Sequence, residues 1–397
     1  MNGNRHQHSL APDRTGSSAP PPRPSLSVAE DLRRMQAVLV HDWLTGMRGG
    51  ERVLELLCEV FADAPIYTLI HNPAAVSETI NRHPIFPSFL QRVPGIFTRY
   101  RLFLPLFPVA AESLSIPPAD IVISTSHCVA KGVRVPRGTP HLCYCFTPMR
   151  YVWVFPRDYF GSNPLVRAAS VPLLRYLRSW DLRSSNRVDL FVAISQHVQR
   201  RIEVCYHRPA RVVYPPVNLD FFTPDPRVAR GEFDLIVSAL VPYKRIDIAI
   251  KAYNQLRFPL RIVGTGTEYR KLKTLAASNI EFLGQLPDED VRNLYRRARF
   301  VIFPGEEDFG LVPLEAQACG TPVIAFDRGG VQETVVAGRT GYLFDSQNPQ
   351  SLAAAVERAA AQEWDPAVIR KNAEKFSVNA FLDGLTHCVT QCIQSRP

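Results

Sequence analysis

The sequence FVIFPGEEDFGLVPLEAQACGTPVIA occupies residues 300–325. Its two ends, 300–303 and 321–325, are apolar runs of the length of a buried strand, and a helical pattern begins between them at about Leu311. Apolar strands that alternate with helices are typical of a parallel sheet with both faces covered. The stretch therefore predicts a strand, a loop, a helix and a second strand of an α/β domain.

The same alternation continues in both directions along the chain. Further predicted strands lie at 37–40, 121–123, 141–145, 190–194, 234–240, 260–263 and 280–283. Two adjacent prolines, Pro215 and Pro216, and a polar stretch that ends at Gly231 interrupt the pattern. We therefore predict two doubly wound, Rossmann-like domains, which would bind ligands in the cleft between the carboxyl ends of their strands.

The predicted domain boundaries follow from these interruptions and from local composition. Residues 1–35 are polar and rich in proline, serine and arginine, and we interpret them as a flexible leader. The predicted first Rossmann-like domain is 36–215, the linker is 216–231, the second Rossmann-like domain is 232–375 and a last helical segment is 376–397.

The composition of the 397 residues excludes several classes of protein. With 46% hydrophobic and 21% charged residues, the chain is neither disordered nor a coiled coil. Its most apolar stretch, 102–111, is too short for a membrane span and is interrupted by Pro105 and Pro108. The eight cysteines show no CxxC pair, so we predict buried thiols in a reducing compartment. The net charge of +9 favours an anionic partner, and because no nucleic-acid-binding motif accompanies it we do not expect that partner to be nucleic acid.

The loop at 304–310 has the features of an anion-binding site. Gly310 is small enough to let the backbone N–H groups of 309–311 approach a phosphate at the positive end of the following helix. Glu307 precedes that helix and Glu315 lies about a turn inside it, so both carboxylates can face the same cleft. One carboxylate could then reach a sugar and the other a ribose. The alternative is an exposed acidic start of a helix, with Glu315 on the surface.

Three more segments accompany the E-x7-E spacing of Glu307 and Glu315. They are ACGTPVI at 318–324, GGVQET at 329–334 and CYCFTPMRYVW at 143–153. On these motifs the chain resembles the retaining glycosyltransferases of family 4 and, within that family, the O-antigen and exopolysaccharide mannosyltransferases. The resemblance implies the GT-B fold, in which two Rossmann-like domains face each other across a cleft. It also implies that the last helix crosses back to the first domain.

The resemblance implies a donor site in the second domain. Glu307 would bind hydroxyls of the donor sugar, Glu315 would bind the ribose and Lys244 would bind the diphosphate, which makes Glu307 and Lys244 catalytic. Arg245 would supply leaving-group charge, because Ala239 stands where the family often has arginine. The remaining implied donor-binding residues are Phe309, Gly310, Leu311, Gly264 and Gly266.

The resemblance also implies an acceptor side in the first domain. Phe146 stands where the similar mannosyltransferases have histidine, so His127 is the candidate catalytic histidine in its place. The alternative for His127 is a histidine whose hydrogen bonds are satisfied within its own loop. The residues implied to contact the acceptor or the cleft are Gly49, Gly50, Arg150 and Tyr151.

We predict neither a metal nor another cofactor. The acidic run Asp288-Glu289-Asp290 formally matches the D-x-D motif of metal-dependent glycosyltransferases, but it follows a proline and opens a helical pattern. N-capping and the helix dipole explain acidic residues at such a place. The predicted substrate is a sugar nucleotide, and side chains together with the helix dipole would stabilise its leaving group.

A basic and aromatic stretch at 85–107 predicts peripheral membrane association. It contains Arg92, Arg99 and Arg101 among aromatic and aliphatic residues, a composition that suits an anionic membrane surface. A partly buried helix at the rim of the cleft is the alternative. The predicted location is cytoplasmic, peripheral to the inner face of the plasma membrane.

Together these features predict a retaining glycosyltransferase that moves a hexose onto a lipid-linked glycan. The predicted donor is GDP-mannose, and the predicted process is cell-surface polysaccharide biosynthesis, such as that of lipopolysaccharide. The same class of enzyme with a UDP-sugar donor is one alternative. Phe146 and Ala239 motivate a second alternative, a noncatalytic sugar-nucleotide-binding scaffold, and an epimerase of the GT-B fold is a third.

Overall fold

The computed structural model describes residues 30–153 and 164–395. Most of the predicted leader lies outside the described residues, and its described part includes one helical turn, Glu30–Arg33. The described chain forms two sheets of seven and six strands with helices around them. Every strand pairing is parallel. This confirms the predicted α/β architecture of two Rossmann-like domains.

The first sheet belongs to the first domain. Its strands are β1 (Ala37–His41), β2 (Ile66–Thr68), β3 (Ile85–Pro87), β4 (Ile121–Ser126), β5 (His141–Cys145), β6 (Leu190–Ala193) and β7 (Ala210–Val212). They lie in the order β3-β2-β1-β4-β5-β6-β7. The central strands β1, β4 and β5 are buried along their whole length because helices cover both faces. Strands β2, β3 and β7 are not among the predicted strands, because three residues are too few to show a pattern.

The second sheet belongs to the second domain. Its strands are β8 (Asp234–Val237), β9 (Leu260–Val263), β10 (Ile280–Gly284), β11 (Val301–Phe303), β12 (Val323–Phe326) and β13 (Gly341–Phe344). They lie in the order β10-β9-β8-β11-β12-β13. Strand β13 is not among the predicted strands, and it begins with a residue that ordinarily marks a turn. A Cβ at Gly341 would lie 2.0 Å from the carbonyl oxygen of Val323, so only glycine lets the two strands approach here.

Helices and short 3-10 turns connect the strands in both domains. Those of the first domain are Gly49–Val60, Pro73–Ala75, Glu78–Asn81, Phe89–Arg92, Ile96–Arg99, Tyr100–Leu106, Phe107–Glu112, Ala130–Gly132, Arg150–Trp153, Pro164–Ser185 and Gln196–Tyr206. Those that follow are Pro242–Lys244, Ile246–Leu256, Tyr269–Leu275, Asp288–Arg297, Leu311–Ala318, Val331–Thr334, Pro349–Ala360, Pro366–Ala373, Glu374–Phe376 and Val378–Gln394. No helix among the described residues is long and apolar enough to span a membrane.

The last helix, Val378–Gln394, follows the second domain in the chain but packs against the first sheet. The ring of Phe381 meets the ring of Tyr144 on β5 edge to face, with centroids 5.6 Å apart. A Cβ at Gly384 would lie 3.0 Å from a methyl group of Val213. The helix therefore ties the end of the chain to the first domain.

The two domains meet across the ends of their strands. The loop after β1 leads to Gly49, and a Cβ at Gly49 would lie 3.3 Å from Cδ1 of Leu311, which follows β11. Ligand sites of doubly wound sheets lie at the carboxyl ends of strands. The place where these two loops face each other is therefore where a ligand site is expected. All eight cysteines are free and buried, as predicted.

Candidate active site

Lys244 and Glu307 follow neighbouring strands of the second sheet. Lys244 ends the turn Pro242–Lys244 after β8, and Glu307 lies in the loop after β11. Their side chains form an ion pair between Nζ and Oε1 and are mostly shielded from solvent. A Cβ at Gly305 would lie only 2.9 Å from Cα of Lys244, so the glycine lets the two loops touch. The structure thus brings the two predicted catalytic residues of this domain into direct contact.

The residues after Glu307 form a helix start without a capping side chain. Gly310 has a φ of +94°, in the left-handed region that favours glycine, and the helix Leu311–Ala318 begins at the next residue. The N-cap residue is Gly310, which has no side chain to bond to the N–H groups of the first turn. The buried ring of Phe309 stacks on Tyr214 with centroids 5.6 Å apart. This stacking fixes the loop in a position from which its backbone N–H groups can bind an anion.

Glu315 lies on the same helix and is partly buried. Its Oε2 accepts a hydrogen bond of 2.8 Å from the hydroxyl of Tyr295. Removal from water raises the pKa of Glu315 from 4.5 to about 7, although the Tyr295 hydrogen bond works in the other direction. Near neutral pH this carboxyl can therefore both donate and accept hydrogen bonds, as the hydroxyls of a ribose would require.

The remaining predicted donor residues are engaged with the protein itself. Arg245 has a φ of +53°, and its guanidinium bonds to Asp247 at 3.1 Å and to Gln347 at 3.0 Å. Gly264 and Gly266 pack against the backbone of the turn after β8. Cβ atoms at these glycines would lie 1.9 Å and 2.3 Å from backbone carbonyl oxygens of 238–240. The close approach of the two backbone segments explains why both positions are glycine. Direct contacts of Arg245, Gly264 and Gly266 with a donor stay predictions.

Gly49 and Gly50 lie at the start of the helix Gly49–Val60, where Gly49 faces the second domain and Gly50 faces the first-domain residue Phe146. Gly49 abuts Leu311, as described above. A Cβ at Gly50 would lie 3.2 Å from the ring of Phe146. A larger residue at Gly49 would press on Leu311 at the helix start of the second domain, whereas one at Gly50 would press on Phe146 within the first domain.

His127 follows β4 and is held by a buried carboxylate. Oδ2 of Asp42 lies 3.1 Å from Nδ1 of His127, and the two carboxylate oxygens accept four backbone N–H bonds from 127–130. Burial, helped by nearby arginines such as Arg150, lowers the pKa of His127 to about 3, so the ring is neutral at physiological pH. Its centroid lies 6.4 Å from that of Phe146. His127 therefore stands beside the position at which the resemblance implies a histidine.

Arg150 joins the two domains, whereas Tyr151 is buried. Nη2 of Arg150 lies 2.7 Å from Oδ2 of Asp308, and Nη1 lies 3.5 Å from the hydroxyl of Tyr243. Tyr151 is 4% exposed and packs in an apolar cluster of the first domain. A contact between Tyr151 and an acceptor stays a prediction.

Three contacts across the domain interface are absent from the sequence-based prediction. Arg201 forms an ion pair with Asp308, and the hydroxyl of Ser195 donates a hydrogen bond of 2.6 Å to the carbonyl oxygen of Asp308. Glu333 accepts the backbone N–H groups of Gln196 and His197 at 2.8 Å and 3.0 Å. The acidic run 306–308 is visible in the sequence, but nothing local indicates partners more than 100 residues away.

The predicted helix start at Asp288 is confirmed by the helix Asp288–Arg297, but the N-cap is Pro287, so no acidic side chain caps the helix and only the helix dipole explains the acidic run. Oδ2 of Asp288 accepts a hydrogen bond of 2.5 Å from Nη2 of Arg52, which belongs to the other domain. Within residues 30–153 and 164–395 no three His, Cys, Asp or Glu side chains are grouped as a metal ion would require. Asp288 thus has an electrostatic partner across the mouth of the cleft.

The assembled site combines two kinds of group. The second domain contributes an ammonium, a carboxylate and a helix start, which suit a phosphate next to a sugar. The first domain contributes a neutral histidine and a narrow glycine-rich loop. This arrangement can bind a sugar diphosphate on one side and bring a hydroxyl compound to it from the other.

Known proteins resemble both the sequence and the fold. Residues 227–376 match the family model described as glycosyl transferases group 1. The D-inositol 3-phosphate glycosyltransferase of Gordonia bronchialis is 34% identical over 222 residues, 47% of this chain and 48% of the relative. The GDP-mannose-dependent alpha-(1-6)-phosphatidylinositol monomannoside mannosyltransferase of Mycolicibacterium smegmatis is 30% identical over 204 residues, 44% of this chain and 53% of the relative. The chain spans about half the length of these curated relatives.

A solved structure extends the likeness to both domains. Alr3699/HepE of Anabaena, determined in complex with UDP, matches with a TM-score of 0.65 and 18% identity over 90% of this chain and 100% of that chain. A structural similarity at 18% sequence identity shows a shared fold only. The chain therefore has the GT-B fold, and the part that matches the glycosyl transferases group 1 model coincides largely with its second domain.

Proposed function

We propose that the protein is a retaining glycosyltransferase that transfers mannose from GDP-mannose to a lipid-linked glycan in cell-surface polysaccharide biosynthesis. The observation that carries the proposal is the contact of Lys244 with Glu307 beside the uncapped start of the helix Leu311–Ala318. A cation, a sugar-binding carboxylate and phosphate-binding N–H groups are the parts that a sugar diphosphate requires.

In the proposed reaction the bond between the anomeric carbon and the diphosphate oxygen breaks. An acceptor hydroxyl oxygen forms the new bond on the same face of the sugar, and its proton passes to the departing phosphate oxygen. Lys244 and the N–H groups of 309–311 stabilise the charge that develops on the diphosphate. Glu307 holds hydroxyls of the sugar, and neutral His127 lies on the acceptor side.

We assign the leaving-group charge to these residues and propose that no metal is required. Lys244 and the helix start converge on the same loop, where both already supply positive charge. Transfer by purified protein should persist in excess EDTA. Loss of activity that Mg²⁺ or Mn²⁺ restores would contradict this assignment.

Two observations bear on the donor. The relative from Mycolicibacterium smegmatis is named as GDP-mannose-dependent, which supports GDP-mannose here. Alr3699/HepE was solved with UDP, which keeps a UDP-sugar as the second candidate. Thermal melting with GDP, GDP-mannose, UDP and UDP-glucose separates them, because a ligand that binds only the folded state raises Tm. We expect selective stabilisation by GDP and GDP-mannose, whereas selective stabilisation by UDP compounds would replace the donor.

The test of catalysis is Glu307→Gln, with Glu289→Gln on the exposed start of another helix as the matched control. We expect the first variant to lose product formation and the second to keep it. Unchanged product formation by Glu307→Gln would remove Glu307 from the mechanism. Conversion of the sugar nucleotide without any acceptor would favour the epimerase alternative, and binding without turnover by the wild type would favour the scaffold.

We also propose peripheral binding to an anionic membrane through the stretch 85–107. Its arginines Arg92, Arg99 and Arg101 are exposed. Large apolar side chains are exposed in and next to the same stretch, namely Phe86, Phe89, Phe97, Leu102, Leu106 and Val109. Exposed apolar groups interspersed with arginine suit an anionic lipid surface.

Sedimentation with vesicles of phosphatidylcholine and phosphatidylglycerol tests the membrane proposal. We expect the protein to pellet at low salt and the triple change of Arg92, Arg99 and Arg101 to Glu to weaken binding. The matched control changes three exposed arginines of the second domain, Arg257, Arg270 and Arg339, to Glu. Equal loss in both triple variants would mean that net charge, rather than this surface, causes binding.

A further inference from the structure

Three consecutive acidic residues, Glu306, Glu307 and Asp308, precede the helix Leu311–Ala318. The proposed function assigns a phosphate to the N–H groups at 309–311, immediately after them. Carboxylates so close to a diphosphate repel it, and they do so strongly where protein replaces water. A diphosphate can therefore bind beside this loop only if cations compensate its carboxylates.

The partners of these carboxylates come from both domains. Lys244, in the same domain, pairs with Glu307. Asp308 has two partners in the first domain: Nη2 of Arg150 lies 2.7 Å from Oδ2, and Nη1 of Arg201 contacts Oδ1. Thus the charge of Glu307 is compensated locally, whereas that of Asp308 is compensated across the domain interface.

Glu306 is also approached from the first domain. Nη2 of Arg201 lies 3.5 Å from its Oε1, and Nε2 of His197 lies 3.8 Å from the same oxygen. Burial, together with the charge of Arg201, lowers the pKa of His197, which favours the neutral ring. Arg201 is therefore the charged partner that Glu306 and Asp308 share.

The pairs at Asp308 are largely shielded from solvent. The side chains of Asp308, Arg201 and Arg150 are 10%, 20% and 25% exposed, respectively. The hydroxyl of Ser195 also donates to the carbonyl oxygen of Asp308, which fixes the loop against the first domain. Salt screens partly buried charges less than exposed ones, so loss of one arginine would leave a strong negative field at the helix start.

We propose that Arg201 and Arg150 make the second-domain loop competent to bind a nucleoside diphosphate by cancelling the charges of Glu306 and Asp308 from the first domain. The proposal rests on the proposed function, since it takes the helix start as the diphosphate site. Arg150 opens the short helix after β5, and Arg201 lies on the helix Gln196–Tyr206. Affinity for the diphosphate therefore depends on the docking of the first domain.

The test compares dissociation constants of GDP and UDP with those of guanosine and uridine for the full-length protein. Arg201→Met should weaken diphosphate binding about ten-fold and leave nucleoside binding unchanged, because an uncompensated carboxylate repels only the charged part of the ligand. Adding Asp308→Asn to Arg201→Met should restore diphosphate affinity to within about three-fold of the wild type. Arg200→Met changes the exposed neighbouring arginine and should alter nothing.

Several results would overturn the proposal. Unchanged diphosphate affinity in Arg201→Met would mean that compensation is not needed. Persistent weakness of the double variant would mean that Arg201 contacts the ligand itself or supports the fold. If Arg201→Met does not fold, Arg150→Met applies the same test to the other ion pair. If the wild type binds neither GDP nor UDP, the proposed function fails as well; if it binds and the variants disagree, this proposal fails alone.

Discussion

The two faces of the cleft treat charge in opposite ways. On the second-domain face, Lys244 and Glu307 form an ion pair next to a helix start. On the first-domain face, Arg150 and Arg201 pair with Asp308, but three other titratable groups are largely buried and favoured in their neutral forms. Burial lowers the pKa of His127 to about 3 and that of His41 to about 4, and it raises the pKa of Glu51 to about 7.

The difference matches the two halves of the proposed reaction. A diphosphate carries charge at every stage and needs cations and N–H dipoles. A sugar hydroxyl needs hydrogen-bonding partners, and a fixed charge near it would have to be desolvated when the cleft is occupied. The comparison therefore indicates that the second-domain face binds by charge and that, beyond the arginines at Asp308, the first-domain face offers neutral polar groups.

The largest expected effect comes from the charged face. Lys244→Met removes the ammonium that contacts Glu307, and we expect kcat to fall by about 10²- to 10³-fold, the usual consequence of losing one group that stabilises the transition state. Lys251→Met is the control, because Lys251 is exposed on the next helix. Initial rates at saturating donor measure the effect. Equal rates for both variants would contradict a charged second-domain face.

A smaller effect is expected from the neutral face. His127→Asn keeps a neutral polar side chain and should lower kcat by about ten-fold, at the weak end of what a positioned polar group contributes. Because the pKa of His127 is about 3, the ratio of wild-type to variant rates should stay constant from pH 5 to pH 8. A ratio that changes with a midpoint near pH 6.5 would show that His127 titrates there and that this face is not neutral.

The pH dependence of stability measures the neutral face directly. The folded pKa of Glu51, about 7, lies above its ordinary value of 4.5, so the folded state loses stability as pH rises through this window and levels off above it. Glu51→Gln should therefore stabilise the protein at pH 8 by about 1–3 kcal/mol and have little effect at pH 4.

Urea unfolding at the two pH values checks this expectation for Glu51. Glu59→Gln on the exposed side of the same helix provides the comparison. A gain from Glu51→Gln that is the same at pH 4 and pH 8 would point to packing rather than to ionisation.

The smallest effect is expected at the mouth of the cleft. Arg52 and Asp288 are 52% and 63% exposed, so water and salt screen their ion pair. A double-mutant cycle with Arg52→Ala and Asp288→Asn should give a coupling of about 0.5 kcal/mol in urea unfolding, and less in 0.5 M salt. A coupling above about 2 kcal/mol would mean that the mouth, rather than the buried pairs at Asp308, holds the domains together.

The donor loop is the part of the site that sequence reasoning located best. Glu307, Gly310 and Glu315 lie within nine residues, and the strand before them and the helix after them are recognisable from apolar periodicity. Lys244 follows a neighbouring strand, and the ends of neighbouring parallel strands lie at one edge of the sheet. The proximity of Lys244 and Glu307 could thus be predicted from local patterns. Their roles in binding a ligand stay predictions.

Other features depend on contacts that no local pattern encodes. The pairing of Arg201 with Asp308 joins residues 107 positions apart. Tyr151 lies next to Arg150 in the same motif, yet one side chain is buried and the other reaches the second domain. Gly264 and Gly266 have the spacing of a phosphate-binding turn, but the structure packs them against the backbone at 238–240.

Apolar periodicity and a few motifs determined the two α/β domains, the helix start after Gly310 and the carboxylates beside it. Such features are local, since the burial of a strand or the dipole of a helix start depends on residues a few positions apart. The neutral state of His127 was decided by burial and by arginines packed near it within the first domain, and the pairing of Asp308 with Arg150 and Arg201 was decided only when the two sheets docked. Desolvation and Coulomb energy depend on distance in space, which the order of residues along the chain does not specify.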